Sequence, residues 1–188
     1  MRLTGTIRLF TLILLIFISG NKNDAFSQVT QKSGSVSFFS STPVEDIKAE
    51  NSSFTSSINQ SDSSVVFRVP ITGFVFRKRL MQQHFNEQYL ESDKFPVATF
   101  RGKLSKPLPG QDGSQSPVQS RVTGTLTIRD VSREIDEVVV FTPSGSDTRA
   151  LCEFTVRPAD YGIKIPRILI KNIAEEVKVT INVLYTIR

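Results

Sequence analysis

Few residues in this chain combine the side-chain chemistry and the spacing of a catalytic site. His84 is the sole histidine, and with Glu87 it gives an H-x-x-E spacing on one predicted helical face. Zinc hydrolase sites of the H-E-x-x-H kind need a second histidine, which the chain lacks. A Ser-His-acid triad could use Ser92, but no G-x-S-x-G motif distinguishes that serine from the others. We therefore predict that the protein is not an enzyme.

Cofactor and metal sites also lack their usual sequence signals. The chain has no glycine-rich phosphate loop and no cluster of Cys and His, so we expect no cofactor and no metal. Cys152, the sole cysteine, cannot form an internal disulfide. It shares a strand face with Phe154 and Val156, which predicts a small buried hydrophobe. The formal charge of +5 is too small and too dispersed to predict nucleic-acid binding.

The first 27 residues have the composition of a signal peptide. Arg2 and Arg8 precede an apolar core over residues 9–18, and Ala25-Phe26-Ser27 supplies the small residues that a signal peptidase recognises. An uncleaved membrane anchor needs about 20 apolar residues, roughly twice this core. We expect cleavage after Ser27, a single mature domain over residues 28–188, and export to the periplasm or the medium. No stable membrane span would remain, and nothing in the sequence indicates an oligomeric state.

The elements that would position any site are mostly strands. The clearest is the run 177–187, where apolar and polar residues alternate with a period of two, as in a strand with one dry face and one wet face. This run is about twice the usual strand length, and long antiparallel strands coil as their twist accumulates. The sequence therefore favours a curled sheet or closed barrel over a flat sheet.

Similar alternation recurs along the chain and predicts about seven to nine strands in all. These strands lie near residues 36–38, after a flexible Ser- and Thr-rich lead-in from Gln28, and near 54–58, 65–69, 74–76, 98–104, 122–128, 135–141 and 150–157. Pro70 and Gly73 predict a break and a bend. Valines on both faces of 135–141 predict a strand that is covered on both sides or inserted centrally. Apolar spacings of three and four over residues 81–89 predict the only helix.

Three connections complete the predicted organisation. Residues 106–119 contain three prolines and two glycines and predict a solvent-exposed loop, whereas 130–133 predict a tight turn. Residues 158–172 carry more apolar weight than a solvated loop, so we expect them to cover part of the core. Within them, Gly162 permits a turn that would place Tyr161 over an opening.

The aromatic content suggests what the interior holds. The chain has fourteen Phe, three Tyr and no Trp, so its interior is broad, apolar and poor in hydrogen-bonding groups. A closed barrel of about eight strands has room for one small ligand when its side chains do not fill it. Binding an apolar chain there would need no catalytic residue.

Two stretches resemble a known family: LMQQHFNEQYLESDKFPVATF at residues 80–100 and VTGTLTIRDVSR at 122–133. They are similar to the YceI-like family of exported, lipocalin-like barrels, whose pattern has a helical stretch ending in K-[YF]-P-x-x-x-F and a later G-x-L-T-[IL]-x-G-V-[TS] hairpin. The resemblance implies an all-β fold, an extended antiparallel lipocalin-like β-barrel of about eight strands with one short helix at the mouth. It also implies a polyisoprenoid or similar lipid as ligand. Asp130 stands where the family usually has Gly, and Glu134 where Pro is common.

Our first hypothesis is therefore a carrier or sequestering protein for an isoprenoid or acyl lipid, with the helix over residues 81–89 gating the cavity. The residues predicted to bind the ligand are apolar or aromatic: Phe67, Phe74, Phe76, Met81, Phe85, Phe100, Leu126, Ile128, Phe141, Phe154, Tyr161 and Ile181. The alternative is a barrel that its own Phe residues fill and that acts as an envelope interaction or scaffold module, through loop 106–119. A third hypothesis is an enzyme that uses His84.

Overall fold

A computed structural model describes residues 28–109, 116–165 and 174–186. The predicted signal peptide, Ile187 and part of the 158–172 connection lie outside these ranges. Within them the chain forms one antiparallel sheet with these strands: β1 (Gln28–Ser41), β2 (Asp46–Asn51), β3 (Thr55–Asn59), β4 (Ser64–Pro70), β5 (Val75–Phe76), β6 (Val97–Leu104), β7 (Val118–Ile128), β8 (Val131–Ser144), β9 (Asp147–Val156) and β10 (Val177–Thr186). A short helix, α1 (Arg79–His84), continues into a π-helical turn (Phe85–Tyr89).

The sheet closes on itself through the pairing of β1 with β10. Eight strands form the ring, in the order β1, β10, β9, β8, β7, β6, β4, β3 and back to β1. Strands β2 and β5 extend the sheet from β1 at one end of the barrel. The predicted all-β fold, an extended antiparallel barrel with one short helix, is confirmed.

The first strand differs from its prediction. The Ser- and Thr-rich stretch from Gln28 is part of β1, which runs for 14 residues, and is not a flexible lead-in. Its first residues pair with β3, and residues 31–39 pair with β10. Two flanking strands satisfy the backbone hydrogen-bonding groups of β1, so pairing outweighs its weak intrinsic strand preference.

Strands β2 to β5 form a single bent hairpin. One arm is β2 and β3, the other is β4 and β5, and each arm is interrupted between its two strands. Thr55 pairs with Arg68 before the break and Ala49 pairs with Phe76 beyond it. Pro70 and Gly73 mark the interruption, as predicted. The buried side chain of Asn51 stabilises it through two hydrogen bonds to the backbone. Its Nδ2 donates to the carbonyl of Pro70 at 2.7 Å, and its Oδ1 accepts from the backbone of Ser53 at 2.7 Å.

The bend opens a gap in the barrel wall at one end. β4 pairs with β6, whereas beyond the bend β5 pairs with β2 instead of β6. Helix α1 and the π-helical turn lie in the chain between β5 and β6, and α1 contacts β5. The helix therefore closes part of this end of the barrel, which we call the helix end.

Two connections differ from their predictions, and for β8 the second of its two predicted alternatives, a central position, is the one observed. The tight turn between β7 and β8 is formed by Arg129 and Asp130, with φ of 50° and 60°, so residues 131–133 already belong to β8. In the predicted solvent loop 106–119, Leu108 is 4% exposed and packs in the core. Residues 110–115 lie outside the described ranges. β8 lies between β7 and β9, but only one of its faces is dry, because Val138 is 43% exposed and Val139 6%.

Candidate ligand-binding site

The barrel encloses a cavity of about 530 Å³. Its wall is built from the inward-facing residues of most strands, which are almost all aliphatic or aromatic because alternate side chains of each strand point to the same face. Leu80 and Lys78 belong to its lining and are exposed, so the cavity reaches the surface at the helix end. The Phe residues of the interior thus leave free volume.

Eleven of the twelve residues predicted to bind a ligand line this cavity. They are Phe67, Phe74, Phe76, Met81, Phe85, Phe100, Leu126, Ile128, Phe141, Phe154 and Ile181. Tyr161 is buried in a short 3₁₀ turn, at 4% exposure, but is not part of the wall. Its neighbours Pro158 and Ile163 reach the cavity instead. Ligand contact by these residues stays a prediction.

Four aromatic rings form a cluster under the helix. Phe85, from the π-helical turn, stacks on Phe38 with ring centroids 5.4 Å apart and lies 5.0 Å from Phe76. Phe74 contacts both Phe38 and Phe85. All four rings line the cavity, so they form an apolar inner surface between the helix and the wall. Phe38 was missed as a site residue, although the alternation of β1 places it on the inner face.

Polar contacts hold the helix against the rim. Lys78, at the N-terminus of α1, pairs with Glu45 from the β1–β2 loop. Gln82 accepts a hydrogen bond from the backbone of Phe76 at 3.4 Å. The exposed ion pair contributes little to stability, so a few weak contacts and the ring cluster determine how tightly the helix closes the cavity.

Arg129 links three segments at the helix end. Its guanidinium pairs with Glu91, donates to the carbonyl of Gly162 at 2.8 Å, and lies 5.5 Å from the ring centroid of Phe95. The pKa of Glu91 is lowered, first by a hydrogen bond from Lys94 and then by Arg129. Lys94, Phe95 and Arg129 all lie in the stretches that carry the family resemblance. Through Arg129, the β7–β8 turn is thus joined to the segment that follows the helix and to the turn that follows β9.

Tyr185 lines the cavity and is almost fully buried, at 1% exposure. Its hydroxyl lies 2.5 Å from the hydroxyl of Ser56, and both residues are buried. Burial raises the pKa of Tyr185 strongly, so the hydroxyl stays neutral. Burial also raises the pKa of Cys152 to about 11, with smaller effects from Glu137 and Glu153. Cys152 is free and buried, as predicted.

His84 lies on the cavity lining. The carboxylate of Glu87, its predicted partner on the helix, accepts a hydrogen bond from Gln83 at 3.2 Å. In the part of the chain that the structure describes, no three His, Cys, Asp or Glu side chains gather as metal ligands would. Within the same ranges, no helix is long and apolar enough to cross a membrane.

One carboxylate on the wall was missed by the sequence analysis. Glu137 lies on the cavity lining, on the same face of β8 as Ile135, Val139 and Phe141. The alternation of β8 could have revealed it, because Glu137 occupies an inward position between apolar residues. The valines on both faces of this strand obscured the pattern.

Comparison with known proteins agrees with this architecture. The sequence model of the YceI-like domain matches residues 26–185, whereas no curated protein sequence matches the chain. The fold is similar to a polyisoprenoid binding domain from Saccharophagus degradans, with a TM-score of 0.72, 13% identity, and coverage of 87% of this chain and 99% of that chain.

Two other solved structures share the fold. Burkholderia cenocepacia BcnA gives a TM-score of 0.66 at 15% identity, covering 80% of this chain and 95% of that chain. The Campylobacter jejuni YceI protein gives 0.56 at 15% identity, covering 72% and 81%. Since the family model spans most of the chain, including the helix, the mouth and the closing strand, the chain belongs to the YceI-like family.

Proposed function

We propose that this protein is an exported lipid-binding barrel that holds an isoprenoid or acyl chain in its interior and performs no catalysis. The observation that carries the proposal is the apolar cavity of about 530 Å³. Ligand sites of proteins commonly occupy roughly 300–1,000 Å³. A similarly folded chain from Saccharophagus degradans is a polyisoprenoid binding domain, which supports the class of ligand.

The energetics favour a long apolar ligand. Each buried methylene contributes roughly 0.8 kcal/mol, so a dozen contribute roughly 10 kcal/mol before the cost of association. What remains after that cost corresponds to micromolar binding or better. The export part of the proposal rests on the predicted signal peptide at residues 1–27. A binding role without catalysis is supported by the match to the YceI-like domain and by the similarly folded polyisoprenoid binding domain.

The test is organic extraction of the purified protein followed by mass spectrometry. Ala150 lines the cavity at 6% exposure, whereas its neighbour Leu151 is 40% exposed on the outer face. We expect about one lipid per chain in the wild type and in Leu151→Phe, and much less in Ala150→Phe, whose ring would occupy the cavity. Folding of each variant is checked by circular dichroism.

The absence of lipid from wild-type protein produced in its native host would contradict the proposal. Equal lipid in a folded Ala150→Phe variant would show that the lipid binds elsewhere. Export is tested separately by N-terminal sequencing of the envelope fraction, in which we expect Gln28 as the first residue.

A further inference from the structure

The carboxylate of Glu137 occupies an unusual place for a charged group. In β7 the residue opposite Glu137 is Val122, and two positions along β8 Val139 pairs with Cys152. All four residues line the cavity. Glu137 lies six residues from the start of β8, which corresponds to about 20 Å along the strand at the usual rise per residue. It is therefore on the inner wall, well away from the Arg129–Asp130 turn.

Among the residues that the structure describes, Glu137 forms no hydrogen bond and no ion pair. Its charge contributes to the raised pKa of Arg121, but that exposed guanidinium is bound to Asp136. The adjacent Asp136 faces outward, and its carboxylate is bound by Arg121 at 2.7 and 2.9 Å. The other cavity-lining carboxylate, Glu45, pairs with Lys78 at the helix end. Partly buried carboxylates are normally paired or hydrogen-bonded, because removing them from water is costly. Glu137 thus offers an unused acceptor inside an apolar cavity.

On the part of the lining that the structure describes, no Lys or Arg is free to pair with this acceptor. The titratable or charged residues on the lining are Glu45, Lys78, His84, Tyr89, Glu137, Cys152 and Tyr185. Lys78 is committed to Glu45, and Tyr185 contacts Ser56. The negative charge of Glu137 is felt nearby, since it contributes to the raised pKa of Cys152. Its field in the cavity favours a positive group on a bound molecule.

We propose that Glu137 is the polar anchor of the cavity and selects amphiphiles that carry a protonated amine on a long apolar chain. The ammonium donates a charge-assisted hydrogen bond to the carboxylate, while the chain lies along the Phe-rich wall. An anionic head group at the same depth is repelled by Glu137. This inference rests on the proposed function, because it assumes that an apolar chain enters the cavity.

The test uses three probes that share one chain: dodecylamine, dodecanol and dodecanoate, each below its micelle-forming concentration. Their affinities for lipid-free protein are measured by isothermal titration calorimetry at pH 7.5. We expect wild-type protein to bind dodecylamine at least about tenfold more tightly than dodecanol, the effect of one charge-assisted hydrogen bond. Dodecanoate should bind more weakly than dodecanol.

Glu137→Gln keeps the size and polarity of the side chain and removes its charge. In this variant we expect the affinity for dodecylamine to fall by about tenfold and that for dodecanol to stay unchanged. Glu134→Gln is the matched control, since it removes an exposed carboxylate of the same strand that accepts a hydrogen bond from Thr125, and it should leave all three affinities unchanged. Melting temperatures verify that both variants fold.

The outcomes separate the two proposals. If all three probes bind wild type and Glu137→Gln with the same affinities, the anchor is wrong and the lipid-binding proposal stands. If Glu134→Gln lowers amine affinity as much as Glu137→Gln, the effect is a general one of charge and the anchor is also wrong. If no probe binds the wild type, both proposals fail.

Discussion

Asp130 adopts a backbone conformation that few residues tolerate. With φ of 60°, it follows Arg129 at 50° in the turn between β7 and β8. Two consecutive residues with positive φ match the twist of a hairpin, and Gly, Asn and Asp are the residues that accept them most readily. The sequence pattern of the family usually has Gly at this position, and the structure supplies the physical reason.

We predict that Asp130→Gly leaves the free energy of unfolding unchanged or raises it slightly, because glycine adopts positive φ without steric cost. Asp130→Val should lower it by about 1–2 kcal/mol, since a β-branched side chain is strained in this region. Both values come from denaturant unfolding. A Val variant as stable as the wild type would show that the turn can change its conformation.

Cys152 predicts a dependence of stability on alkaline pH. Its pKa is raised from 9.0 to about 11, so above pH 9 the thiol of the unfolded chain loses its proton while the folded chain keeps it. The folded state then binds more protons, and stability falls as pH rises from 9 to 11, by up to roughly 3 kcal/mol. Denaturant unfolding across this range measures the loss.

The matched variant is Cys152→Ala, which lacks the thiol. Its stability should fall less between pH 9 and pH 11 than that of the wild type, because other groups that titrate there are common to both proteins. Parallel pH profiles for the two proteins would rule out the thiol as a source of the alkaline loss.

At the scale of single residues, the sequence predicted the inward-facing apolar side chains better than the inward-facing polar ones. The burial of Cys152 and nine of the eleven cavity-lining residues followed from strand alternation, because a period of two assigns faces. Met81 and Phe85 followed from the helical spacings of three and four instead. Asn51 was missed because its own stretch has no clear alternation, and Glu137 was missed because valines on both faces of β8 obscured the alternation that places it inward. Tyr161 is buried beside the wall and not on it, because the direction of a loop side chain depends on its turn.

At the scale of elements, β6 and β7 meet through glycines on the inner wall. Gly102 and Gly124 pair directly opposite each other. A Cβ added at Gly124 would overlap with the carbonyl of Arg101 and the Cα of Gly102, both backbone atoms. The two strands thus approach closely only because neither residue has a side chain.

We predict that Gly124→Ala lowers the free energy of unfolding by about 1–3 kcal/mol, because backbone atoms must move to admit the methyl group. Thr123→Ala is the control: it lies one residue earlier on the exposed outer face, where substitutions usually change stability by less than about 0.5 kcal/mol. Denaturant unfolding of both variants measures the difference. Equal losses at the two positions would mean that the close approach is not what constrains Gly124.

Strands and helices were predicted correctly where the local sequence alone has a clear hydrophobic period. The long β10 was evident from residues 177–186 alone, and the helix from spacings of three and four. The first part of β1 was mistaken for a lead-in because its strand character comes from pairing with β3 and β10. A single segment cannot show which partners it will meet.

At the scale of the whole molecule, the cavity is the property that sequence patterns could not measure. Alternation predicts an apolar inner face, but the free volume depends on how many strands close the ring and how they are staggered. Closure joins β1 to β10, at opposite ends of the described chain, and the bend at Pro70 and Gly73 turns β5 away from β6. Neither relation appears in any local stretch.

A ligand in this cavity should stabilise the entire barrel, because its wall includes residues from most strands. A ligand at one hundred times its dissociation constant adds about 2.7 kcal/mol to the free energy of unfolding. For a domain of this size, that raises the melting temperature by roughly 5–10 °C. We therefore predict that stripping the lipid by denaturation, extraction and refolding lowers the melting temperature by this amount, and that adding the extracted lipid restores it.

The variants Ala150→Phe and Leu151→Phe test whether this change in melting temperature comes from lipid bound inside the barrel. In Leu151→Phe, where the ring is on the outer face, the shift should match that of the wild type, whereas in Ala150→Phe it should largely vanish, because less chain fits beside the new ring. Differential scanning calorimetry of loaded and stripped samples gives both values. If the loaded and stripped wild-type proteins melt at the same temperature, the lipid does not bind the folded barrel in preference to the unfolded chain, since linkage requires preferential binding to raise the melting temperature.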